Sequence, residues 1–173
     1  MPLLAVRIAV LATSLALAGA AAVEGAPRAA PTVGCDRIAL RARSGLEDGY
    51  RVLLGAVSLP GRRHIAANTV RTHDPAWPYY RNAGLAVRAG TVAVSVEVPE
   101  GWRDRVALSW GGSQAGTSVR FARCTGAPGR PWNAYGGGVY LRSPTDCVPL
   151  HVRAGGTSTT VRVGVGRACG AGG

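Results

Sequence analysis

A serine follows two glycines directly after an apolar stretch, which is the order in which many hydrolases expose a nucleophile. Residues 106–116 read VALSWGGSQAG, with the serine at position 113. In a nucleophile elbow a strand enters a sharp turn, presents the serine hydroxyl and continues as a helix. Asp146 and His151 follow Ser113 in the chain order of an α/β-hydrolase triad. The reaction that these residue types suggest is serine-dependent hydrolysis.

The residues around Ser113 nevertheless favour a turn between two strands. Residues 117–121, TSVRF, alternate polar and apolar side chains and predict a strand where an elbow requires a helix. Asp146 and His151 lie five positions apart in one predicted strand, with His151 on its outer face. We therefore interpret the Gly-Gly-Ser segment as a hairpin turn and predict no catalytic residue. A small secreted serine hydrolase remains the alternative from the enzyme class.

Metal and cofactor sites are not indicated. His64, His73 and Asp74 share one predicted connection, but their spacing matches no established ligand pattern. None of the four cysteines forms a C-x-x-C pair, so neither a zinc ribbon nor a redox motif is supported. We predict no metal and no cofactor.

Two groups of aromatic residues beside prolines and glycines are candidates for ligand binding. Planar side chains on loops can stack on sugar rings while their polar edges bond hydroxyl groups. Alternatively, the same side chains cap the open ends of a sandwich, a role that rigid flanking residues suit equally well. The candidates for a carbohydrate site are Trp77, Tyr79, Tyr80, Trp132 and Tyr135.

The formal net charge of +11 comes from 20 arginines and no lysine. A GC-rich genome would produce this composition, and we favour that explanation over selection for an anionic partner. If several outward arginines share a sheet face, however, they form a cationic surface for a polyanion such as a cell-wall glycan. Specific nucleic-acid binding is disfavoured because only Tyr140 is placed to stack on bases. The arginines predicted to point outward from strands are Arg88, Arg105, Arg120, Arg142, Arg153 and Arg162.

The first residues indicate export. Residues 1–22 contain one early arginine, an apolar run and a small-residue ending, which is the pattern of a cleaved signal peptide. Retention as a membrane anchor is the alternative, and cleavage would leave no stable membrane span. Residues 23–34 are rich in alanine and proline and predict a flexible leader, and residues 170–173 predict a disordered tail. We expect a secreted or cell-envelope location.

The remaining chain predicts an all-β fold, because apolar residues recur at every second position. Residues 35–169 are expected to form one antiparallel β-sandwich, Ig-like or jelly-roll, with a long connection at residues 60–82. In residues 91–98, four valines at alternate positions from Val92 to Val98 should share the inward face. Further strands are expected within residues 38–43, 50–58, 84–90, 105–110, 117–123, 138–142, 147–153 and 157–165.

The four cysteines predict two disulfides in an exported chain, with three possible pairings. Cys124 ends one predicted strand and Cys147 begins another, with a single strand between them. Cys35 and Cys169 stand at the two ends of the predicted domain, and the termini of compact domains commonly lie close together. We therefore predict the pairs Cys35–Cys169 and Cys124–Cys147.

The second half of the chain resembles small exported proteins of unknown function that are common in high-GC Gram-positive bacteria. The resemblance covers residues 85–169 and lies in a strand ending RFARC, a Gly-rich aromatic turn, YLRSPTDCVPLHVR and a terminal TVRVGVGRAC. It implies export and a β fold, and no activity. The sequence thus predicts a non-enzymatic binding or structural module of the cell envelope.

Overall fold

The computed structural model describes residues 30–45, 49–61 and 68–170, and in these residues the chain is all-β. Two 3-10 helices, Cys35–Arg37 and Glu100–Trp102, are its helical elements. The strands are β1 Thr32–Val33, β2 Leu40–Ala42, β3 Tyr50–Leu53, β4 Val57–Pro60, β5 Val70–Arg71, β6 Tyr79–Asn82, β7 Leu85–Arg88, β8 Val94–Glu97, β9 Val106–Trp110, β10 Ser118–Phe121, β11 Trp132–Tyr135, β12 Gly137–Leu141, β13 Asp146–Ala154 and β14 Thr157–Val165.

The strands form three open sheets. Sheet A has the order β1-β10-β8-β13-β14, sheet B the order β2-β11-β7-β4-β3, and sheet C the order β5-β6-β12-β9. Every named pairing is antiparallel except that of β1 with β10, which is parallel. The predicted all-β sandwich is confirmed.

Sheets B and C are two parts of one interrupted ladder. Asn82 pairs with Gly138 in sheet C, and Leu85 pairs with Tyr135 in sheet B. The two chain segments therefore keep the same pairing register on both sides of the short break between the sheets. The Ala83 N–H donates to the Gly137 carbonyl across the break at 2.8 Å. A side chain at Gly138 would collide with the Arg81 carbonyl, so a glycine is needed where the two backbones approach closely.

One core joins all three sheets. Sheet A contributes alternate valines of β8, β13 and β14, and the other layer contributes leucines and the rings of Trp110 and Tyr135. The indole N–H of Trp110 donates to the Ala83 carbonyl at 2.7 Å, which satisfies its polar atom inside the core. Each fully buried valine or leucine contributes about 1.5–3 kcal/mol. Burial of one face per strand therefore holds the two layers together.

The predicted turn at the Gly-Gly-Ser segment is confirmed, but the prediction that it is a hairpin turn is wrong, because β9 pairs with β12 and β10 pairs with β1 and β8. Gly111 and Gly112 have φ values of +60° and +74°, and the Ser113 N–H donates to the Trp110 carbonyl at 3.1 Å. Leu108 and Gly116 then exchange two backbone hydrogen bonds before the chain enters β10. Because β9 belongs to sheet C and β10 to sheet A, this turn carries the chain from one layer to the other.

The predicted strand at residues 91–98 begins later than expected. Ala93 has a φ of +50°, which ends the extended conformation, and β8 starts at Val94. Val92 is 45% exposed, so its predicted place on the inward face is wrong, whereas Val94, Val96 and Val98 are buried.

Two predicted connections contain strands. Strand β1 lies within the predicted leader 23–34, and β5 and β6 lie within the predicted connection 60–82. Strands β1 and β5 are only two residues long, too short for alternation to be recognised in sequence, and β6, with the sequence YYRN, does not alternate apolar and polar residues. The predicted signal peptide, residues 1–22, lies outside the described residues, as do residues 171–173 of the predicted tail.

The predicted cysteine pairing is wrong. The structure joins Cys35 to Cys124, with Cα atoms 5.6 Å apart, and Cys147 to Cys169, with Cα atoms 5.3 Å apart. Parallel pairing of β1 with β10 places Val33 opposite Phe121, and this brings Cys35 beside Cys124. The start of the domain is therefore fastened to the segment after β10, and not to the C-terminal end of the domain as the sequence predicts. The second bond returns the segment after β14 to the start of β13.

Replacement of each cysteine pair by alanine should destabilise the domain unequally. The bonds join residues 89 and 22 positions apart. In the chain-entropy model these separations correspond to about 4–5 and about 3 kcal/mol. We expect urea unfolding to show the larger loss for Cys35→Ala/Cys124→Ala. Non-reducing peptide mapping checks the pairing itself, and a crosslinked peptide joining Cys35 to Cys169 would contradict it.

Candidate functional site

The outer side of sheet A collects arginines and hydroxyl groups. The inward positions of its strands are filled by buried valines, leucine and phenylalanine, so the alternate positions point away from the core. We call this surface the arginine face. Its residues are Thr32, Ser95, Glu97, Ser118, Arg120, Pro149, His151, Arg153, Ser158, Thr160 and Arg162.

Strand register aligns these side chains in rows across the sheet. Arg120 lies between Thr32 and Ser95, and Arg153 lies between Ser95 and Ser158. Residues directly opposite one another share a face and have neighbouring side chains. This row therefore places two arginines two strands apart, with a serine between them.

The adjacent row contains the one carboxylate of the arginine face. Ser118 pairs with Glu97, Glu97 with His151, and His151 with Thr160. The Ser95 hydroxyl donates to Glu97 Oε1 at 3.1 Å, and His151 Nδ1 lies 3.2 Å from Thr160 Oγ1. With three arginines against one carboxylate, the formal charge of the face is +2 when His151 is neutral. The face is therefore suited to anions that also exchange hydrogen bonds.

A depression of about 330 Å³ lies on this face between the two arginines of the row. Its lining includes Thr32, Ala93, Ser95, Glu97, Arg120 and Arg153. A larger depression of about 480 Å³ lies beside residues 114–118 and has no charged side chain in its lining. The smaller depression thus combines a concave shape with charge.

All six arginines predicted to point outward are exposed, but the structure brings only three of them together. Arg120, Arg153 and Arg162 lie on the arginine face. Arg88 projects from sheet B, where it pairs with Trp132. The other two make local contacts: Arg105 stacks on Trp102 at 3.9 Å, and Arg142 lies 5.5 Å above the Trp77 ring.

The predicted aromatic site is divided. Tyr79 and Tyr80 lie on β6, and the Tyr80 ring packs against Tyr140 of β12 with centroids 4.6 Å apart. Burial, and secondly the neighbouring Tyr140, raise the pKa of Tyr80 above 10.0. Arg71 lies 5.6 Å above Tyr79. Together with the Arg142–Trp77 contact, this means that arginines already cover two of the predicted rings.

The prediction that Trp132 and Tyr135 are loop residues available to a ligand is wrong. Both lie in β11 and are buried. Tyr135 is in the core with its ring 4.9 Å from that of Phe121, and Trp132 packs with alanines on the other side of sheet B. The glycine-rich sequence that follows them is the break in the ladder between sheets B and C, which local sequence does not distinguish from a loop.

The three residues of the hydrolase alternative have other partners. The Ser113 hydroxyl accepts from the Trp110 N–H at 3.3 Å. Asp146 is buried and bonds Arg105 at 2.8 Å, with Arg167 at 3.7 Å from its other oxygen. His151 faces outward and contacts Thr160. The described contacts therefore do not connect the three side chains into a triad.

The structure adds residues to the site that the sequence did not single out. Ser95 and Glu97 alternate with the buried valines of β8, so their outward direction was readable from the pattern. The position of Ser95 between Arg120 and Arg153, and of Glu97 in the adjacent row, depends on strand order and cannot be read from the sequence. His64 of the metal hypothesis lies outside the described residues, and no group of three or more potential ligands is present in the described part of the chain.

No protein-family model matches this chain, and no curated protein matches it. A functional conclusion therefore depends on the chemistry of the site itself. Within residues 30–45, 49–61 and 68–170, no helix is long and apolar enough to cross a membrane.

Substitution of Tyr80 by phenylalanine should reduce the loss of stability at alkaline pH. Because the pKa of Tyr80 is raised in the folded state, the unfolded chain loses this proton first, at about pH 10. Stability from this group is present below about pH 10 and declines as pH rises through the folded pKa. Urea unfolding between about pH 9 and about pH 11 measures the effect. Equal alkaline losses in the wild type and Tyr80→Phe would contradict it.

Proposed function

We propose that this chain is an exported, non-catalytic module of the cell envelope that binds an anionic glycan through the arginine face. The observation that carries the proposal is the row in which Arg120 and Arg153 flank Ser95. Arginine is the side chain best suited to carboxylate and sulfate groups, because its planar guanidinium donates two parallel hydrogen bonds. The surrounding hydroxyl groups add partners for a sugar.

Export is supported by the cysteines as well as by the first residues. All four cysteines are in disulfides, which indicates an oxidising environment outside the cytoplasm. The pattern of residues 1–22 supports cleavage of a signal peptide, and the charge of +11 supports attraction to an anionic envelope polymer.

Binding of an anionic polymer at this face requires several arginine contacts at the same time. A single exposed ion pair contributes about 0–1 kcal/mol, and charges in about 0.15 M salt interact over only about 8 Å. The arginines of this face project from one hydrogen-bonded sheet, so little backbone ordering is needed when a polymer binds. We therefore expect modest affinity that falls with salt.

The aromatic residues of sheet C support a second candidate, binding of a neutral glycan. The rings of Tyr80 and Tyr140 pack against each other with their planes tilted by 43°, and Val70 is 60% exposed beside Tyr80. The contact of Arg142 with Trp77 weighs against it, because a sugar would have to displace the guanidinium before stacking on this ring. Loss of glycan retardation in Trp77→Ala, with retention in Arg120→Gln/Arg153→Gln, would favour this second candidate.

Heparin chromatography tests the arginine face. Wild-type protein should be retained and should elute well below about 1 M salt, where charges interact over only about 3 Å. Arg120→Gln and Arg153→Gln should each weaken binding by up to about fivefold. Arg88→Gln is the matched control, because it removes an equally charged, exposed side chain from sheet B. If Arg88→Gln weakens retention as much as Arg120→Gln, net charge alone explains the binding and the proposal fails.

A serine-reactive fluorophosphonate tests the non-catalytic part of the proposal. The Ser113 hydroxyl contacts a backbone N–H and has no described contact with His151, so it lacks the base that activates a nucleophile. We expect the pure protein to remain unlabelled. Stoichiometric labelling that disappears in Ser113→Ala would instead show an active serine.

A further inference from the structure

We infer that the depression between Arg120 and Arg153 is a subsite for one carboxylated sugar unit, an inference that rests on the proposed binding of an anionic glycan. Its volume of about 330 Å³ is at the lower end of the range for small-molecule sites. This size fits a single unit of a polymer. The other parts of the glycan would then extend over the remaining arginine face.

The two arginines form opposite sides of the subsite. Adjacent strands lie about 4.8 Å apart, so the backbones of Arg120 and Arg153 are separated by about 10 Å. Both side chains are exposed, and both line the depression. Either guanidinium can pair with a carboxylate through two hydrogen bonds, while the other contacts ring oxygens or the next unit.

The lining of the subsite includes apolar residues, Val94 and Phe121, and polar groups of which one is already ordered. Ser95 is 7% exposed, and its hydroxyl donates to Glu97 Oε1 at 3.1 Å. The Ser95 hydroxyl oxygen can still accept a hydrogen bond, and Thr32 supplies a second hydroxyl from β1. These groups suit a ligand that carries hydroxyl donors.

Glu97 determines which anion the subsite prefers. None of the described ion pairs includes this carboxylate. Its direct neighbours across the sheet are Ser118 and His151, and Arg120 and Arg153 lie in the adjacent row. A carboxylate accepts hydrogen bonds from sugar hydroxyls but repels a compact anion such as phosphate. A ligand with one acidic group and several hydroxyl groups can pair its acidic group with an arginine and donate its hydroxyl groups to Glu97. A hexuronate, a sugar that carries a carboxylate, has this chemistry.

Ala93 forms part of the rim in a strained conformation. Its φ of +50° is uncommon for a residue other than glycine. The bend turns Val92 outward, and the Val92 carbonyl accepts from the Gly155 N–H at 3.0 Å. The rim is thereby tied to the turn between β13 and β14, close to the strand that carries Arg153. Backbone strain of this kind is concentrated at ligand sites.

Calorimetric titration with a trimer of galacturonic acid tests the subsite. We expect the trimer to bind at about 0.15 M salt. Its neutral methyl ester and inorganic phosphate should bind at least about tenfold more weakly. Arg120→Gln and Arg153→Gln should each reduce affinity for the trimer by about tenfold or more, the loss typical of a charge-assisted hydrogen-bond pair. Thermal melts of these variants, which change only exposed side chains, confirm folding.

Arg162→Gln is the matched control on the same face. Arg162 lies on β14 opposite Pro149 and does not line the depression. Its substitution should weaken heparin retention but leave trimer affinity within about twofold. Glu97→Gln should strengthen phosphate binding, because it removes the repelling charge. This variant thereby tests whether Glu97 sets the preference.

Failure of the subsite and failure of the proposed function give different results. If phosphate binds wild-type protein as tightly as the trimer, or if Arg162→Gln and Arg120→Gln weaken trimer binding equally, the subsite is wrong. Heparin retention that depends on Arg120 but not on Arg88, without any trimer binding, likewise rejects only the subsite. If heparin retention is the same in Arg120→Gln and Arg88→Gln, the proposed glycan-binding function is rejected as well.

Discussion

Burial of one side of every strand in sheet A is the constraint on which the rest of the molecule depends. A shift of β13 by one residue against its neighbours would move Val148, Leu150 and Val152 to solvent and turn Arg153 into the core. The loss of apolar burial and the cost of a buried charge both oppose that shift. The same constraint positions the arginine face, because the register that buries the valines also aligns Arg120, Ser95 and Arg153.

The layer opposite sheet A provides a fixed support for this surface. Its long ladder keeps one register across the glycine-rich break, so sheets B and C contribute to a single core. The Cys35–Cys124 bond then fastens β1, the shortest contributor to sheet A, to the end of β10. Without that bond, β1 would be held beside β10 in the described structure by the pairing of only two residues, Thr32 with Arg120 and Val33 with Phe121. The covalent link and the sheet therefore act together to place one side of the depression.

The arginines of this chain serve several physical purposes. Arg105 covers Trp102 and neutralises the buried Asp146, whose other oxygen accepts from the Cys147 N–H at 2.8 Å. Arg142 covers Trp77 in sheet C. These contacts are structural. Arg120, Arg153 and Arg162 of the arginine face, by contrast, are exposed and are in none of the ion pairs of the described residues. The contacts made by each arginine, more than the net charge of the chain, therefore distinguish the proposed binding surface from the arginines that stabilise the fold.

The sequence by itself determined which residues face the core and which face solvent along most strands, because alternation with period two is a local pattern. It therefore predicted the all-β sandwich, the turn at Ser113 and the outward direction of Arg120, Arg153 and Arg162. Only the tertiary structure decided which strands are neighbours, because pairing joins residues far apart in the chain and many strand orders preserve the same alternation. For that reason the cysteine pairing predicted from the sequence is wrong. The loop predicted at Trp132 and Tyr135 is wrong because the glycines that follow them interrupt a ladder and do not mark a loop. Ser95 and Glu97 entered the site only when β8 was found between β10 and β13.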